Sequence, residues 1–267
     1  MLRYLRNPID VVDGIEIFSS SDAYSENYEK IAGDHLKNNE TGNDNPFISD
    51  TDWRIMESST ARLIDKVARP GMNILDLGVG TGRLLERYPD LNRYGVDISL
   101  QYLKIARGKG IVPIFSRSEE LPMADGSFDI LVTTDVLEHV LDLHATLQEM
   151  TRVVTKGGYI VIRVPYRENL APYLAPDIPY EFVHLRNFDE FGLKLILEKI
   201  YGLEVIEEVY ATIFSKPRLR FPAPRILKRI LGELSNASKK IGEGYYVNFS
   251  KAVCTPIEIS LLCKKRG

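Results

Sequence analysis

Asp76, Gly78, Gly80 and Gly82 stand at alternate positions in the run Asn73-Ile-Leu-Asp-Leu-Gly-Val-Gly-Thr-Gly-Arg-Leu-Leu. Glycines after a short apolar run permit backbone angles closed to other residues, and their missing side chains let a ligand lie against bare main chain. Asp97 closes a second apolar run nineteen residues after Gly78 (97 − 78), where a carboxylate can accept both hydroxyls of a ribose. His139 and His184 are the two histidines placed to take a proton from a hydroxyl near neutral pH. If Asp135 to His139 is helical, the i, i+3, i+4 spacing puts Asp135, Glu138 and His139 on one face, and His184 would complete a divalent-metal set. Proton transfer is the first expectation for both histidines, and metal use stays open.

The elements that must position these groups alternate. Strands are expected at Asn73–Leu77, Arg93–Val96, Val112–Phe115, Phe128–Thr133 and Tyr159–Val164, with helices at Arg83–Tyr88, Leu100–Lys109, Leu141–Val154 and Asp189–Tyr201. That order specifies an α/β fold with a doubly wound, mostly parallel sheet, and the candidate groups then fall beyond the carboxyl ends of strands. Leu203 to Ile213 and Ile257 to Lys264 alternate as a final antiparallel strand pair. Residues 1–70 are expected as a helical cap. Ser19 to Asp22 starts a helix through Tyr24, Tyr28 and Ile31, Lys37 to Asn45 is a loop, and Thr51 or Asp52 caps a second helix, Trp53–Ala68. Residues 71–267 form the main domain, with a Pro- and Tyr-rich loop at 165–188 and a helical insertion at 215–256.

The glycine spacing narrows the ligand. A dinucleotide fingerprint sets its third glycine three residues after the second, whereas here it follows after two. Asp-x-Gly-x-Gly-x-Gly resembles the first motif of the class I S-adenosylmethionine-dependent methyltransferases. The stretches from Glu119 to Ile130, Asp135-Val-Leu-Glu-His-Val and Arg152-Val-Val-Thr-Lys-Gly-Gly-Tyr resemble the small-molecule branch of that class, over roughly residues 70 to 165. The resemblance implies a Rossmann-like fold, S-adenosyl-L-methionine as cofactor and S-adenosyl-L-homocysteine as product. It also implies that Asp76, Gly78 and Gly80 hold the methionine end, Asp97 the ribose, Ile98 and Ser118 the adenine, and that Thr134 lies beside the sulfonium. Arg117 departs from the pattern, because many relatives carry an acid there that accepts from the adenine amine, and arginine cannot accept. An N-terminal helix often lids the cofactor in the resembled class, so Tyr24 and Tyr28 would touch ligand or pack on the domain.

Composition limits the partners. A formal charge of −3 gives no global pull toward nucleic acid, and Cys254 and Cys263 are too few for a disulfide framework. No apolar run reaches the roughly 20 residues of a membrane span, and the N-terminus lacks a signal-peptide pattern, so a cytoplasmic location is expected. The insertion carries Lys216, Arg218, Arg220, Arg225, Lys228, Arg229, Lys239 and Lys240 around an apolar stripe of Ile226, Leu227, Ile230, Leu231 and Leu234. Packing on the domain or a homodimer mate is the first expectation for it, and contact with a membrane surface the second. The expected activity is methyl transfer to oxygen of a small molecule such as a sugar or secondary metabolite. The alternatives are a lipid-linked or quinone acceptor, or a non-catalytic cofactor-binding regulator. In the loop, Tyr166, Tyr173, Tyr180 and His184 are expected to be available to the acceptor.

Overall fold

Alternation along the central strands decides the architecture. Leu75 and Leu77 enter one buried cluster while Ile74 enters another, and Leu131 separates from Ile130 and Val132 in the same way. A sheet apolar on both faces needs helices on both faces. The computed structural model describes residues 2–40, 50–213 and 219–267. In chain order its elements are β1 (Asp10–Val12), β2 (Ile15–Ile17), α1 (Ala23–Glu40), α2 (Asp50–Val67), β3 (Asn73–Leu77), α3 (Arg83–Glu86), β4 (Asn92–Asp97), α4 (Leu100–Gly108) and β5 (Val112–Phe115). There follow β6 (Phe128–Thr134), α5 (Leu143–Val153), β7 (Val154–Pro165), α6 (Glu190–Leu195), β8 (Leu203–Ala211), α7 (Arg225–Ile241), α8 (Glu243–Val253) and β9 (Glu258–Lys265).

Among the described residues these strands form one nine-stranded sheet in the order β1-β2-β5-β4-β3-β6-β7-β9-β8. The five strands from β5 to β7 run parallel, and β9 lies antiparallel between β7 and β8. Strand order reverses between β3 and β6, so the crevice for a ligand lies beyond Leu77 and Thr134. α2, α3 and α4 cover one face, and α5 and α6 the other. Three helix starts are set by side chains that accept a backbone N–H: Ser99 before α4, Asp142 before α5 and Asp189 before α6. Each such cap contributes about 1 kcal/mol.

Several elements differ from the sequence reading. The N-terminal segment is not wholly helical: β1 and β2 form a hairpin that extends the sheet, with β2 parallel to β5. α1 continues through Lys37 to Glu40, and the rest of the expected loop, through Asn45, lies outside the described residues. Asp52 lies inside α2 rather than capping it, and its buried carboxylate accepts from Tyr246 Oη at 2.5 Å. Residues 135–139 form a turn rather than a helix, because Asp135 adopts φ 57° and breaks the register. The insertion contains α7 and α8, while Lys216 and Arg218 lie outside the described residues. Leu231 and Tyr246 face inward, but Ile226, Ile230 and Leu234 of the stripe are exposed, so only part of it packs on the domain.

Candidate active site

β3 delivers the glycine turn. Gly78 and Val79 donate their N–H groups to Val96 O at 2.8 and 3.0 Å, which folds the turn across the end of β4. Gly78, Gly80 and Gly82 all have positive φ, but for different surroundings. A Cβ on Gly78 would stand 2.2 Å from Val136 Cγ2, whereas one on Gly80 would meet nothing within 4 Å. Gly78 therefore permits packing, and Gly80 leaves bare main chain facing open space.

Asp97, the last residue of β4, accepts the Gly80 N–H on Oδ2 and the Ser99 N–H on Oδ1, both at 2.9 Å. Burial pushes its carboxyl up to about 6, although the backbone donors oppose that shift. Each oxygen keeps a lone pair for a further donor, as two ribose hydroxyls require. Asp76 is buried with Oδ1 unpartnered, and burial, then the nearby Asp97, raises its carboxyl well above the ordinary range.

These groups line one cavity of about 370 Å³, with Ile98, Ser118, Thr134, Glu119 and His139 also in its wall. That volume lies in the range of small-molecule sites. The Arg117 guanidinium turns to α1, pairing with Asp22 at 2.5 Å and lying 4.9 Å from the Tyr24 ring centre. Glu119, not singled out from the sequence, has a buried Oε1 that meets the Arg117 guanidinium at 3.5 Å without a hydrogen bond, and it can accept the amine that Arg117 cannot. Arg163 has no sequence signal either, since a cation inside a strand of Val and Ile carries no motif. It is 1 % exposed, is paired with Asp135 and stands 5.7 Å from the Trp53 ring centre. The pairing removes Asp135 from any cluster with His139. Bare main chain, a two-oxygen ribose acceptor and the unpartnered buried Asp76 Oδ1 fit a nucleoside with a cationic tail.

At the far end, Tyr28 lies 5.5 Å from the His139 ring centre, and Tyr24 packs 5.3 Å from Phe182. Tyr24 and Tyr28 line the cavity and also pack on each other and on the domain. Burial, then the neighbouring His184, lowers His139 to about 4, leaving a neutral imidazole whose Nδ1 has no partner. His184 lies behind it, with ring centres 4.5 Å apart. Loop 165–188 differs from expectation: among the described residues, none from this segment lines the cavity. Tyr166 donates to Glu190, Tyr180 to Asp34 and Tyr173 to Glu168, so these hydroxyls brace the loop.

Residues 75–162 match the model of a family described as a methyltransferase domain. With the sheet order, this match makes residues 75–162 similar to a methyltransferase domain carried on a mostly parallel, doubly wound sheet. Among its relatives is a demethylmenaquinone methyltransferase of Corynebacterium urealyticum, 32 % identical over 44 % of this chain and 51 % of the relative. The chain thus spans about half the length of the curated relatives it matches. A Thermotoga maritima structure described as a possible histamine N-methyltransferase shares the fold at TM-score 0.58 and 20 % identity, over 91 % of this chain and all of the other. A phosphoethanolamine N-methyltransferase of Haemonchus contortus, solved with S-adenosyl-L-methionine, does so at TM-score 0.54 and 18 % identity, over 79 % of this chain and 53 % of the other. The described helices include none long and apolar enough to cross a membrane.

Proposed function

We propose that the chain transfers the methyl group of S-adenosylmethionine to an oxygen of a small molecule, a sugar or another secondary metabolite, held beneath α1. The observation that carries this reading is a single cavity running from Asp97 past Gly80 to His139. When bound, the cofactor supplies an electrophilic methyl carbon, and the chain's task is alignment. Asp97 and Glu119 grip the nucleoside, Gly80 admits it against the main chain, and Thr134 flanks the reacting end. The neutral His139 imidazole presents a lone pair at the acceptor end of the cavity. Calorimetry with S-adenosylhomocysteine, followed by labelled methyl transfer to a panel of hydroxylated metabolites, tests the reading. His139→Ala should lower turnover about a hundredfold while leaving S-adenosylhomocysteine affinity unchanged. Unchanged turnover excludes a role for His139 in the reaction, and absence of cofactor binding ends the whole reading.

A second acceptor class is supported by one feature. α7 exposes Ile226, Ile230, Leu234 and Ile241 beside Arg229 and Lys240, which suits an anionic membrane surface and an acceptor of quinone or lipid-linked type. The similarity to the demethylmenaquinone methyltransferase points the same way.

A further inference from the structure

Glu138 is fully buried, yet neither of its carboxylate oxygens has a hydrogen-bond partner. An unpaired buried carboxylate carries a desolvation cost of several kcal/mol, so the group calls for a cation or a proton. Two imidazoles converge on it. His139 Nε2 lies 4.0 Å from Glu138 Oε1, and ligand atoms of Glu138, His139 and His184 all fall within 4.8 Å of one another. We infer that Glu138, His139 and His184 bind a first-row divalent transition-metal cation at the acceptor end of the cavity.

His184 is 45 residues from His139 (184 − 139) and is brought there by the backbone. Leu185 N donates to Glu138 O at 2.8 Å, and Arg186 Nη1 donates to Leu137 O at 2.9 Å and to Val140 O. These bonds clamp loop 165–188 onto the turn after β6. His184 Nδ1 is then held by Glu168 Oε2, which places the ring proton on Nδ1 and frees the Nε2 lone pair. A carboxylate behind a ligating imidazole is the usual support of a metal-bound histidine. Ligand atoms about 2.0–2.2 Å from an ion stand about 3–3.5 Å apart, so the side chains must close by roughly 1 Å. Two imidazoles and one carboxylate suit zinc or cobalt better than magnesium or calcium, which prefer oxygen ligands. Three protein donors leave coordination positions open for water or an acceptor oxygen, and His139 is the wall shared with the cavity. The role in acceptor binding rests on the methyl-transfer reading; the ion binding does not.

The test uses the whole chain stripped with a chelator, with Co2+ as the probe, followed by visible absorption and calorimetry. One ion per chain should bind and raise Tm. Glu138→Gln and His184→Ala should each weaken binding at least about tenfold, while S-adenosylhomocysteine affinity stays unchanged. Glu138→Gln keeps the shape and removes a charge that burial disfavours, so a folded variant is expected, with its Tm without metal as the check. No Co2+ binding by the intact chain, or equal binding by both variants, overturns the site. S-adenosylhomocysteine binding without Co2+ binding removes the cation alone, whereas failure of both removes the methyl-transfer reading as well.

Discussion

Gly78 and Gly80 have the same sequence motif and backbone hand, but their substitutions should fail differently. Gly80→Val adds about 1–2 kcal/mol of left-handed strain and fills the space a ligand would use, so the protein should fold with a slightly lower Tm and lose cofactor binding. Gly78→Ala drives a methyl group into Val136, so Tm should fall further whether or not ligand is present. Thermal melts with and without S-adenosylhomocysteine separate the two, and equal melting losses would contradict the assignment. Asp97 adds a pH dependence. Its folded value of about 6 lies above the ordinary 3.8, so the unliganded fold is favoured by the proton, and that contribution fades as pH rises through about 6. Hydroxyl donors prefer the ionised carboxylate, so binding should run the opposite way, weakening below about 6. Glu29 faces the same group and reinforces the upward shift. The rise in Tm given by S-adenosylhomocysteine should be larger at about pH 7.5 than at about pH 5, and a pH-independent rise would count against Asp97 as the ribose acceptor. At this scale Asp76, Gly80 and Asp97 were legible because their spacing is local. Glu119 and Arg163 were not, since their places depend on which neighbours α1 and β7 bring.

Among the elements, strands buried on both faces were the most legible, and β3 and β5 occur at the expected residues. The β1–β2 hairpin is written in the sequence, although a helical cap is expected there. Val-Val-Asp-Gly-Ile-Glu-Ile holds an Asp-Gly pair between short apolar runs, and both Asp13 and Gly14 take positive φ, as a two-residue hairpin turn requires. α7 was expected from its apolar stripe, but a stripe does not say what covers it. Leu231 is buried while Ile226 is 76 % exposed, so the stripe is wider than the face the domain can cover. If the exposed part meets a bilayer, Ile230→Asp with Leu234→Asp should abolish co-sedimentation with anionic vesicles and hardly change Tm, since exposed substitutions usually stay within about 0.5 kcal/mol. Lack of sedimentation by the unaltered chain would remove the membrane-surface acceptor.

Across the whole molecule, the cavity is closed by parts of the chain far apart in sequence, and periodicity could not reveal that closure. The Asn27 side chain on α1 donates Nδ2 to Phe182 O at 3.0 Å and accepts the Glu181 and Phe182 N–H groups on Oδ1 at 2.9 and 3.2 Å. Lys30 Nζ donates to Pro179 O nearby, and Tyr180 Oη to Asp34. α1 and loop 165–188 are thus fastened to each other above His139, while the sheet and its helix layers form a separate, larger core. Fastenings between two surface segments should govern ligand exchange more than global stability. Asn27→Ala leaves the Glu181 and Phe182 N–H groups without their acceptor, a cost of about 1–3 kcal/mol that falls on the closed lid. The expected result is about a tenfold weaker S-adenosylhomocysteine affinity, arising mainly from faster dissociation, with Tm nearly unchanged. Hydrogen exchange should increase at residues 20–40 and 179–186 together, because each segment holds the other. Exchange confined to one segment, or unchanged dissociation, would show that α1 and the loop open independently.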